Sequence, residues 1–118
     1  MFKILDFTKD NLTAIQVKGK ITREDYEKLN ALFEKNEREY EKQKLYFEID
    51  KIEGVTAKAL WEDLKIYFTH VKNFEKVAII GDSDMVKTLT KLSSPFISGD
   101  VKFFNIREAS KAIDWIMQ

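Results

Sequence analysis

The chain has 118 residues, 44% of them hydrophobic, with 20 Lys+Arg against 20 Asp+Glu and a formal net charge of zero. That length predicts a single domain, 1–118, with one continuous core, and the balanced charge argues against nucleic-acid binding, which needs a positive field to release counterions. There is no cysteine, so disulfides, thiolate nucleophiles and Cys-ligated zinc are excluded.

The N-terminal Met1-Phe-Lys-Ile-Leu-Asp-Phe7 carries a charge by its third residue and lacks the apolar run of a signal peptide. No stretch approaches the ~20 apolar residues of a membrane span, so a soluble, cytoplasmic protein is expected. Phe2 to Phe7 and Leu12 to Lys18 read as two strands, and Thr8-Lys-Asp-Asn11 supplies the turn of a hairpin. The second strand sets Leu12, Ala14, Gln16 and Lys18 against Thr13, Ile15 and Val17, which predicts one buried and one wetter face.

Thr22 with Asp25 forms a near capping box. The helix it opens runs to about Glu41, with Tyr26, Leu29, Leu32, Phe33, Asn36 and Tyr40 at helical spacing. Its other face carries Glu24 with Lys28 and Glu34 with Arg38, the pattern of a solvated surface. Leu45 to Asp50 is the third strand.

Thr56 is positioned to cap the next helix, which reaches about Asn73 and places Ala57, Leu60, Trp61, Leu64, Tyr67, Phe68 and Val71 on one apolar face. Ile66 lies on the far side with Ala59 close in angle and His70 one turn along. This small stripe is either ordinary exposed surface or the contact of a homodimer.

Lys76 to Gly81 is nearly all apolar, as a strand buried on both faces should be. Asp82 and Ser83 supply the cap of a helix containing Met85, Val86, Leu89 and Leu92, which Ser93-Ser-Pro95 stops. A loop with Phe96 and Ile97 leads to a short strand, Val101 to Phe104. Asn105 with Glu108 makes another capping box, and the last helix buries Ala109, Ala112, Ile113 and Ile116, with Trp115 beside them. Strands alternating with helical runs from Lys44 onward predict an α/β fold with parallel strands.

The sequence assigns no catalytic residue, metal ligand or cofactor. His70 is the single histidine, so a zinc site would draw every other ligand from carboxylates, an unusual set. Asp63 lies two helical turns from His70, but no Gly-x-Ser-x-Gly elbow is present. Neither GxGxxG nor a phosphate-binding Gly-Lys-Ser/Thr loop occurs. The strand-to-helix corners, where parallel sheets bind ligands, carry Asp50, Asp82 and Asp84. Such carboxylates serve either as turn and cap residues or as a rim for Mg²⁺. The bulky Trp61, Tyr67, Phe68, Phe74, Phe96 and Ile97 cluster in one helix pair and its loop. They either fill the core or line an apolar cleft for a small lipophilic ligand. Trp61, Tyr67, Phe68, Phe96 and Ile97 are the candidate ligand-binding residues.

The chain resembles the SpoIIAA-like (STAS-related) family of small bacterial proteins. The resemblance rests on Tyr46-Phe-Glu-Ile-Asp50, Gly54-Val-Thr56, Leu60-Trp-Glu-Asp-Leu64 and Phe74-Glu-Lys-Val-Ala-Ile-Ile-Gly-Asp82. It continues through Ser94-Pro-Phe96, Val101-Lys-Phe-Phe104, Glu108-Ala109 and Ala112-Ile-Asp-Trp-Ile116, and so covers nearly the whole chain. It implies a mixed five-stranded sheet with four covering helices in the order ββαβαβαβα, and a likeness to the CRAL-TRIO lipid-binding fold. The expected function is a non-enzymatic binding module for a small lipophilic ligand or a protein partner. The alternative is a STAS-type, anti-anti-sigma-like interaction domain. In that group a Ser opening the helix after the third strand is phosphorylated. Here Gly54-Val-Thr56 replaces the usual Asp-Ser-Ser/Thr-Gly, leaving Thr56 as the nearest hydroxyl and the regulatory candidate.

Overall fold

The computed structural model describes residues 2–53, 58–60, 62–63, 73–92 and 100–118. Its strands are β1 (Phe2–Ile4), β2 (Leu12–Gly19), β3 (Gln43–Ile52), β4 (Phe74–Gly81) and β5 (Asp100–Asn105). The helices are α1 (Arg23–Glu39), α2 (described at 58–60 and 62–63), α3 (Ser83–Leu92) and α4 (Ala109–Met117). A 3-10 turn, Ile106–Glu108, leads into α4. This is the expected ββαβαβαβα order.

The five strands form one sheet in sequence order. β1 pairs antiparallel with β2, and every other pair is parallel. Right-handed crossovers that advance one strand at a time carry their helices to one face. Leu29 and Phe33 of α1, Leu60 of α2 and Met85 of α3 accordingly share a core with Ile15, Val17, Leu45, Phe47, Ile49, Val77 and Ile79. Phe33 meets Phe74 edge-on at 5.7 Å. After β5 no further strand follows, and α4 covers the opposite face: Ala112 and Ile116 pack on Leu12, Ala14, Tyr46, Ala78 and Ile80.

Local chemistry sets the element ends. Thr22 caps α1 in a complete capping box, its Oγ1 accepting from the Asp25 amide at 3.1 Å while Asp25 accepts from the Thr22 amide at 2.9 Å. That backbone hydrogen bond holds the Asp25 carboxyl below its ordinary range. The hairpin turn closes between Lys9 and Leu12, and Asp10 takes a φ of 54° within it. Asp tolerates that left-handed conformation better than most residues. β1 is shorter than the expected Phe2–Phe7: the Leu5 amide still donates to the Ala14 carbonyl at 2.8 Å, but the Ala14 amide donates to the Thr8 hydroxyl at 2.9 Å instead of to a strand carbonyl.

β2 departs from the predicted alternation. Leu12, Thr13, Ala14 and Ile15 are all buried, and the wetter face begins only at Gln16 and Lys18. The reason is α4, which covers the first half of β2 on the face that sequence alone leaves open. Thr13, on the α1 side, is satisfied by a 2.7 Å hydrogen bond donated by the buried Asn36 amide.

β3 ends in a bulge. Lys18 pairs with Asp50 and Gly19 with Ile52, so Lys51 is skipped and adopts a φ of 46°. The extra residue turns Ile52 back onto the helix-covered face, where it packs against the core.

Candidate functional site

The strand-to-helix corners are the first place to look for a ligand in a parallel sheet. At the end of β4, Asp82 accepts from the Met85 amide at 2.8 Å and so acts as the cap of α3. At the end of β5, Asn105 accepts from the Arg107 amide at 3.0 Å, and its own amide nitrogen donates to Ser83 Oγ at 2.5 Å. Glu108 completes a capping box there. At the end of β3, Asp50 lies 3.8 Å from the Lys18 ammonium across the strand pair. Asp50, Asp82 and Asp84 thus do not form a carboxylate cage, and no group of three or more metal-ligating side chains occurs among the described residues.

Thr56 and the five candidate ligand-binding residues, Trp61, Tyr67, Phe68, Phe96 and Ile97, lie outside the described residues, as do Ile66 and His70. Around them, Leu60 is buried in the core and Ala59 is exposed. Asp63 accepts a 3.1 Å hydrogen bond from the Tyr26 hydroxyl and so ties α2 to α1. Phe74 is core.

The α4 face carries features that the sequence reading passes over. Glu48 gathers two neighbours, accepting from Gln16 Nε2 at 2.5 Å and from the Tyr46 hydroxyl at 2.9 Å. Burial, helped by the Glu48 hydrogen bond and charge, pushes the Tyr46 phenol well above its usual range. Tyr46 is therefore a hydrogen-bond donor rather than a base. The polar positions 16, 18, 48 and 50 alternate with apolar ones along β2 and β3. That alternation is the sequence signal of the wedge α4 leaves uncovered.

At the other end of this face, Lys44 and Lys76 reach the last turn of α4. Lys44 Nζ donates to a main-chain oxygen of Gln118 at 2.7 Å, and Lys76 Nζ to the Trp115 carbonyl at 3.1 Å. Lysines at a helix C-terminus satisfy open carbonyls and complement the dipole. Lys76 and Lys102 also lie 5.1 and 5.0 Å from the centre of the Trp115 ring. A cleft of about 290 Å³ opens between the hairpin turn and α4, lined by Phe7, Lys9–Leu12, Lys44, Ile116 and Met117.

The comparison with protein families agrees with this architecture. A model of the SpoIIAA-like family matches residues 12–117. The chain belongs to the SpoIIAA-like family. An uncharacterized DUF3478-family protein with a SpoIIAA-like fold, from Shewanella loihica, is 31% identical, with a TM-score of 0.66 over 98% of this chain and 92% of that one. No curated protein matches the chain. The SpoIIAA-like sheet expected from the motifs is thus present, and the family match spans the whole parallel part of the sheet and α4. No helix of the described residues is long and apolar enough to cross a membrane.

Proposed function

We propose that this SpoIIAA-like protein is a non-enzymatic binding module that holds a small lipophilic ligand between α2 and α3. One observation carries the reading. Leu60 and Met85 are buried against β4, while Val101 and Phe103 of β5 pack on the same core yet stay only partly covered. Val101 and Phe103 thus give the face that α2 and α3 occupy an apolar floor at its β5 edge. In sequence, Trp61, Tyr67 and Phe68 fall on the apolar face of the helix expected to run to about Asn73, and Phe96 and Ile97 in the segment leading into β5. Such a floor with bulky apolar neighbours suits a lipophilic guest. The engagement of Asp82, Asn105 and Glu108 as caps supports binding over acid–base chemistry. A cytoplasmic location goes with this reading and is checked by cell fractionation.

Native mass spectrometry of freshly purified protein and titration with a lipophilic dye test the reading. A co-purifying apolar mass, or saturable dye uptake weakened by Trp61→Ala, supports it. No bound mass, with no dye uptake in either protein, rejects it.

The uncovered wedge of Gln16, Lys18, Glu48 and Asp50 favours a second reading, a STAS-type interaction domain that binds another protein. Thr56→Glu adds charge at a helix N-terminus and should alter partner capture in a pull-down; an identical set of partners counts against it. Pairing of two copies through Ala59 and Ile66 is tested by sedimentation. Ile66→Lys should convert a dimer to a monomer, and a wild-type monomer removes the idea.

A further inference from the structure

We draw no further inference here: the strongest candidate, the cleft between the hairpin turn and α4 over Phe7, Leu12 and Ile116, has a charge-balanced rim that selects no ligand, and nothing in the structure shows what covers its apolar floor.

Discussion

The Tyr46 hydroxyl donates a 2.9 Å hydrogen bond to Glu48, two residues further along the same face of β3. The ring of Tyr46 is buried beneath α4 and Phe7, while its oxygen reaches the edge of the uncovered wedge. Burial of the phenol raises its folded pKa above the ordinary 10.0. The unfolded chain therefore releases this proton at lower pH than the folded one. The contribution of Tyr46 to stability is complete below about pH 10 and declines as pH rises above it. Tyr46→Phe should cost about 1 kcal/mol at neutral pH through the lost hydrogen bond. It should also flatten the alkaline loss of stability, as read by urea unfolding from about pH 8 to about pH 11. Equal alkaline slopes in both proteins would contradict this account.

A buried polar pair fixes α1 on the sheet. Asn36 donates to Thr13 at 2.7 Å with both residues nearly inaccessible. Thr13→Val alone strands the Asn36 amide and should cost about 1–3 kcal/mol, the penalty of an unsatisfied buried donor. The double variant Thr13→Val, Asn36→Leu should recover most of that loss, since neither partner is then left polar. A chemical-denaturation cycle over the four proteins checks the sign of the coupling.

Gly81 ends β4 under the first turn of α3. A Cβ there would lie 2.9 Å from Met85 Sδ, closer than van der Waals contact. Gly81→Ala must displace the Met85 side chain and should cost on the order of 1 kcal/mol by overpacking. Once Met85→Ala has removed the obstructing sulfur, the same Gly81 change should cost less. Identical costs in the two backgrounds would show that Met85 is not the constraint.

Lys51 holds a φ of 46° at the β3 bulge. A left-handed conformation costs an L-residue roughly 1–2 kcal/mol, which glycine avoids while losing more chain entropy on folding. Lys51→Gly should therefore be neutral or stabilising by up to about 1 kcal/mol, and Lys51→Val destabilising by about 1–2 kcal/mol. Thermal unfolding of the three proteins gives the order. Val above Gly in that order would refute the bulge as the source of the effect.

Several local features are legible in the sequence alone. The Thr22 and Asn105 capping boxes are local hydrogen-bond patterns, readable from residues three apart. The apolar run at Val77–Ile80 announced a strand buried on both faces, and it is one. Other features depend on residues distant in sequence. The burial of Leu12 and Ala14 depends on α4, about a hundred residues away. The cleft depends on Lys44 bonding both Asn11 and Gln118. The family motifs mark core and corner positions, which identify the fold and leave the ligand to the proposals above.

By itself the sequence determined the α/β class, the element order, the caps and the exclusion of thiol chemistry. These follow from residue types and short-range periodicity. Tertiary structure alone decided which half of the second sheet face is covered, which side Ile52 faces and where a cleft remains. Each depends on one element packing against another, and strand periodicity shows only that a face is apolar, not what comes to lie upon it.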